Sequence, residues 1–187
     1  DVGRTRSARP ALSALARAAL AILPQLSPLV CPREPLSDLL DALHRLREAT
    51  PFALQRDEAV YWLVLTGTIH IHQASVPIAA AGHAARVVEF LVFATLCTEA
   101  HVLLATPQHL GWRVSIVEET CRCYDDCGLM DASADFISRA FEQIEDLKRL
   151  EALDPLPQNP AVAAMYGEAE RRLRVLAATR DEDAATG

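Results

Sequence analysis

The chain has 187 residues, 51% of them hydrophobic, 23% charged and 5% aromatic, with a formal net charge of −7. That length suits one domain, or a stretch of a longer repeat array, with a core large enough that stability demands neither metal nor disulfide. The acidic balance argues against a nucleic-acid binder, because neutralising phosphates takes a basic face, and the dominance of Ala and Leu over β-branched and aromatic residues predicts an all-α fold.

In chain order, the first predicted helix runs from Pro10 to Leu23, where Leu12, Leu15, Ala16, Ala19, Leu20 and Leu23 recur at three and four. Prolines at 24, 28, 32 and 35 make the next segment a linker. Arg17, Pro24 and Pro28 interrupt the apolar stretch from Ala11 to Val30, so it offers no unbroken span of about 20 residues to cross a bilayer. The start without Met, and Arg4, Arg6 and Arg9 ahead of an interrupted apolar run, reads as a fragment of a larger protein rather than a signal segment. A second helix is expected from Leu36 to Ala49.

A third helix is predicted from Asp57, an acidic start suited to the positive end of a helix dipole, to about Ala81. Pro77 should kink or break its last turns and Gly82 end it. The fourth, His83 to about His101, carries Val87, Val88, Leu91, Phe93, Ala94 and Cys97 around most of its circumference and reads as an interior helix. Thr106-Pro107 predicts a capped entry to the fifth, which runs to Cys127 and exits at Gly128. Asp131 should cap the sixth, with its stripe of Phe136, Ile137, Ala140, Phe141, Ile144, Leu147 and Leu150, ending before Pro155. Asn159-Pro160 repeats the cap-and-proline device and opens a last helix that ends in the acidic Asp181, Glu182 and Asp183.

Two of these pairs match. Gly82 is followed at five, nine and twelve residues by Val87, Leu91 and Ala94, and Gly128 at the same spacings by Ser133, Ile137 and Ala140. Trp62 and Trp112 begin the two pairs. A turn glycine followed by a second helix with small side chains is the framework of a tetratricopeptide-like repeat. The expected fold is therefore all-α, with antiparallel helical hairpins stacked as a divergent tetratricopeptide-like α-solenoid segment; a conventional helical bundle is the competing reading. The expected organisation is leading helices and a Pro-rich linker over 1–56, two helical hairpins over 57–153, and a further helix with a frayed end over 154–187.

Three clusters invite a chemical reading. His70 and His72 form a His-X-His pair that would face one way on a strand, as metal sites require, but on the predicted helix they lie about 200° apart. Cys121, Cys123 and Cys127 lack the second Cys pair of a zinc site, and Cys121 points away from the face that Cys123 and Cys127 share. Five cysteines in all, with Cys31 and Cys97, fit no even disulfide framework and favour a reducing compartment. The carboxylate pairs Glu118-Glu119 and Asp125-Asp126 are adjacent rather than opposed. The reading is a non-enzymatic chain with no catalytic, cofactor or metal residues, and a metal-dependent enzyme ranks third among the functional readings.

The run from Tyr61 through His72, then Ala81-Gly82, Val88-Glu89-Phe90-Leu91, His109-Leu110-Gly111-Trp112-Arg113 and Cys121-Arg122-Cys123-Tyr124-Asp125-Asp126-Cys127, resembles the cilia- and flagella-associated protein 54 family. The resemblance covers roughly Ala59 to Leu153, while the flanks to either side do not carry it clearly. It implies a segment near the N-terminal part of a very large scaffold protein of the axonemal central apparatus, supporting projection assembly and motility of cilia and flagella. The implied partners are cilia- and flagella-associated proteins 46 and 74 and calmodulin, with microtubule association direct or indirect. The implied location is the cytoplasm and cytoskeleton of the ciliary axoneme, with no membrane or nucleic-acid contact and no cofactor. The alternative is a generic helical-repeat binding module of another intracellular assembly. On either reading Trp62, Gly82, Phe90, Trp112, Arg113, Tyr124 and Gly128 are the candidate packing or partner anchors.

Overall fold

A computed structural model describes residues 61–153 and 159–186 together with 36, 37, 40, 41, 43–45, 47 and 48. The expected helix from Pro10 to Leu23, the Pro-rich linker with Cys31, and the acidic start at Asp57 lie outside the described residues. Among those described, the chain is all helix and turn. Five long helices carry it: α1 (Tyr61–Ile78), α2 (Ala84–Ala100), α3 (Leu110–Asp126), α4 (Met130–Ala152) and α5 (Pro160–Thr186). They divide between two compact units, residues 1–101 and 102–187.

In the first unit, α1 and α2 form an antiparallel hairpin. α1 continues through Pro77 for one residue and passes into a π-helical turn, Ala79–His83, where Gly82 takes φ +84°. This is the left-handed region that only glycine enters without a Cβ penalty, so the helical path breaks there and the chain reverses. The stretch from Val64 to Ala100 is long and apolar enough to cross a membrane by length and composition alone, but it is two helices folded back on each other. Val64, Ile71, Ala74 and Ile78 of α1 and Val87, Phe90, Leu91, Ala94 and Cys97 of α2 are buried. α2 is less interior than its composition predicts, because Ala85, Arg86, Glu89, Leu96 and Ala100 form an exposed row. The helical residues around His44 pack on α2: the His44 ring meets Phe90 edge-on at 4.9 Å, and Arg47 pairs with Glu89 at 2.9 Å.

In the second unit, a short 3₁₀ turn (Pro107–His109) leads into α3. The expected Thr106 cap does not form. The His109 N–H is taken by the Thr106 carbonyl at 3.1 Å, and the Thr106 hydroxyl donates backwards to the Leu103 carbonyl. At the other end of α3, Gly128 (φ +73°) donates its N–H to the Asp125 carbonyl and Leu129 donates to the Tyr124 carbonyl, each at 2.9 Å. These two bonds are the paired closure of a glycine-terminated helix. They place Leu129, not Asp131, at the entry to α4; Asp131 lies in the first turn, where its charge still suits the dipole. The Asn159 cap forms as expected, its Oδ1 accepting the Ala161 N–H at 3.0 Å, and α5 runs on to Thr186, past the expected fray.

α3 and α4 are antiparallel. At their crossing Ser133 donates its hydroxyl to the Cys121 carbonyl and the Cys121 thiol donates to the Ser133 carbonyl. All six positions in the two glycine-counted frameworks, including Ser133, Ile137 and Ala140, are buried. α5 lies against both neighbours. Leu110, Val114, Val117 and Cys121 of α3, Ile137, Ala140 and Ile144 of α4, and Tyr166, Ala169 and Leu173 of α5 form one apolar seam. The stripe of α4 outruns that seam, leaving Leu150 65% exposed.

Strain at the turn glycines separates them from helical ones. No atom lies within 4 Å of a Cβ built at Gly82, Gly128 or Gly167, so backbone conformation alone decides the outcome. Gly82→Ala and Gly128→Ala should each cost about 1–2 kcal/mol, whereas Gly167→Ala, inside α5, should gain up to about 1 kcal/mol. Thermal unfolding followed by circular dichroism should lower the midpoint for the first two variants and raise it for the third.

Candidate functional site

The seven anchors do not converge. Trp62, Gly82 and Phe90 belong to the first unit, and Trp112, Arg113, Tyr124 and Gly128 to the second. Phe90 is buried, at 1% exposure, against His44. Trp62 and Trp112 are both half-buried, Tyr124 stacks edge-on with Phe136 at 5.8 Å, and the two glycines sit exposed at turns. Arg113 is buried in α3 and donates to the Gln143 Oε1 of α4 at 2.5 Å, a hydrogen bond that ties the hairpin through its middle.

The most organised polar feature is a charged seam that holds α5 onto the α3–α4 hairpin. The Arg172 guanidinium spans α5 to α3: it pairs bidentately with Glu118, donates to the Ser115 hydroxyl at 2.9 Å and to the Gly111 carbonyl at 3.2 Å. Two turns on, Arg180 pairs with Asp125 at 3.1 Å and donates to the Met130 carbonyl at the start of α4. Since 118 pairs with 172 and 125 with 180, α5 runs parallel to α3. On the α4 side Lys148 binds Glu145 and Glu170, and Glu170 also pairs with Arg174 at 2.6 Å. The hydrogen bond from Lys148 holds the Glu170 carboxyl below its ordinary value, and Glu170 in turn raises the Lys148 ammonium.

Partly desolvated, bidentate pairs of this kind contribute more than exposed ones. The Arg172 and Glu118 side chains are 26% and 19% exposed, against 78% and 67% for Arg149 and Asp146. From the sequence Glu118 and Asp125 read only as adjacent carboxylates. The signal lies in the spacing of seven between them and of eight between Arg172 and Arg180, which puts each set on one helical stripe.

The chemical clusters are packed rather than poised. Burial pushes the Cys97 and Cys123 thiols up to about 12 and Cys121 to about 11, which suppresses the nucleophilic thiolate. Cys121 faces the seam, Cys123 is buried on another side of α3, and Cys127 is half-buried. His70 and His72 are both half-buried on α1, and burial lowers His70. Among the described residues no group of three His, Cys, Asp or Glu is placed to hold a metal ion.

Brief alkylation at neutral pH, read by peptide mapping, should modify Cys127 well before Cys97, Cys121 or Cys123. Arg172→Ala should destabilise the chain by about 2 kcal/mol, and Arg149→Ala by no more than about 0.5 kcal/mol. A double-mutant cycle pairing Arg172→Ala with Glu118→Ala should return a coupling of about 1–3 kcal/mol.

A family model described as Cilia- and flagella-associated protein 54 matches residues 10–181. The Chlamydomonas reinhardtii protein of that name is 35% identical over 135 residues, covering 72% of this chain and 4% of its own length. The Homo sapiens protein is 26% identical over 144 residues, covering 77% of this chain and 5% of its own. The Mus musculus protein is 27% identical over 119 residues, covering 64% and 4%. The match extends well beyond the Ala59 to Leu153 window into both flanks, and the chain spans only a small fraction of each relative. It belongs to the cilia- and flagella-associated protein 54 family, in the family's N-terminal region.

Proposed function

We propose that this chain is a structural scaffold segment of the ciliary axoneme, placed in a projection of the central apparatus and supporting its assembly and the motility of cilia and flagella. Family membership carries the reading. The geometry supports it in a specific way. Each of the two hairpins reverses at a left-handed glycine and buries the same three positions after it. α5 then lies parallel to α3 across α4, the place that the first helix of a following pair takes in a tetratricopeptide-like array. In such an array a divergent α-solenoid presents side chains on its open faces while the seams only hold shape. The organised charged groups of the second unit bind one another, and the buried thiols are held protonated, a use of polar chemistry that suits architecture rather than turnover. On this reading cilia- and flagella-associated proteins 46 and 74 and calmodulin are the partners to seek.

Chemical crosslinking of intact axonemes, read by mass spectrometry, tests the assignment. The chain has a single lysine, Lys148, but 25 Asp and Glu, so a carboxylate-reactive reagent is the appropriate probe. The proposal expects reproducible links between this chain and central-apparatus proteins. Links confined to other axonemal structures, at good coverage of the chain, would leave only a helical-repeat module of a different assembly.

A further inference from the structure

Thr179 lies on α5 at the edge of a groove between α3 and α5 whose charged walls carry Arg122, Arg172 and Arg180 beside Glu118, Asp125 and Asp126. It is exposed, and its hydroxyl donates to the Leu176 carbonyl of its own helix at 2.9 Å, a local bond that is cheap to give up. The residues that follow it are Arg180, Asp181, Glu182 and Asp183. A threonine with carboxylates two, three and four positions ahead is the pattern that acid-directed serine/threonine kinases accept.

The groove contains what a phosphate needs. Arg172 and Arg180 are committed to the seam, with side chains 26% and 12% exposed. Arg122 is not: its side chain is 67% exposed, and among the described residues it pairs with its own helix neighbour Glu119, at 3.2 Å. Burial raises the Glu119 carboxyl, and the contact with Arg122 acts the other way. A threonine phosphate brings a charge of about −1.5 to −2 and three strong acceptors, and a guanidinium is its best partner.

We propose that Thr179 is a phosphorylation site and that its phosphate, captured by Arg122 across the groove, adds a bond between α5 and α3. In the transfer, the Thr179 Oγ forms a bond to the γ-phosphorus of ATP as the bond to the ADP oxygen breaks, and the hydroxyl proton passes to the kinase's general base. The modification tightens the last turns of α5 on the hairpin and so stiffens the end of the scaffold segment. The chemistry depends on this groove alone and stands whether or not the axonemal placement does.

The test uses the 187-residue chain, a purified acid-directed kinase and magnesium ATP, with phosphosite mapping and amide hydrogen exchange as readouts. Phosphate should appear at Thr179 and be lost in Thr179→Ala. Exchange over residues 172–180 should slow by about tenfold, the worth of one charge-assisted hydrogen bond. Arg122→Met should accept phosphate normally but show no slowing. Absence of phosphate at Thr179, faster exchange after modification, or the same slowing in Arg122→Met would each overturn the proposal.

Discussion

The docking of α5 into the groove of the α3–α4 hairpin is the contact on which the second unit depends. Tyr166, Ala169 and Leu173 complete an apolar seam that α3 and α4 cannot close alone. Removing a residue such as Leu173, fully buried, would be expected to cost about 2–5 kcal/mol. Apolar contact is tolerant of sliding, however, and a helix can shift one turn along such a groove at modest cost. The charged seam supplies what the oily one lacks. Arg172 on Glu118 and Arg180 on Asp125 match one register of α5 against α3, and a one-turn slip would strand four partly desolvated charges. Burial thus provides the attraction, and ion pairs at its edges specify the alignment.

That division of labour suits the proposed role as a structural segment. A scaffold acts by keeping surfaces at fixed separations, so its polar groups serve best when they bind each other. Arg113 on Gln143, inside the hairpin, and Lys148 between Glu145 and Glu170, at its rim, follow the same logic. So do the buried threonines: Thr95 and Thr120 return their hydroxyls to carbonyls of their own helices and leave the packing surface smooth. The open faces carry half-buried Trp112 and the exposed Leu129 and Val175.

Much of this was legible in the sequence because it rests on local rules. The two turn glycines announced themselves by breaking helical runs, and the small residues counted from them marked the buried faces of α2 and α4. The Asn159-Pro160 device gave the start of α5. At Thr106-Pro107 the entry and its proline stand where the sequence puts them, but the hydroxyl turns back to the Leu103 carbonyl instead of capping; at Asp131 the helix begins two residues earlier than expected, after Leu129. Spacing put each set of seam charges on one helical stripe, but their pairing was not legible. It joins residues about fifty positions apart, and nothing in a single sequence states which helix Arg172 or Arg180 will face. Family membership came from a string of short motifs over α1 to α3, each weak alone and informative only in order.

In the second unit α3, α4 and α5 form one cooperative body held in register. Native-state hydrogen exchange on the intact chain tests it most directly, because it reports the opening free energy of each helix separately. The slowest amides of residues 166–176 should share a single opening free energy with those of residues 114–121 and 137–144. Exchange of the α5 amides at a distinctly lower opening free energy than the hairpin would make α5 a loosely attached arm rather than part of that body.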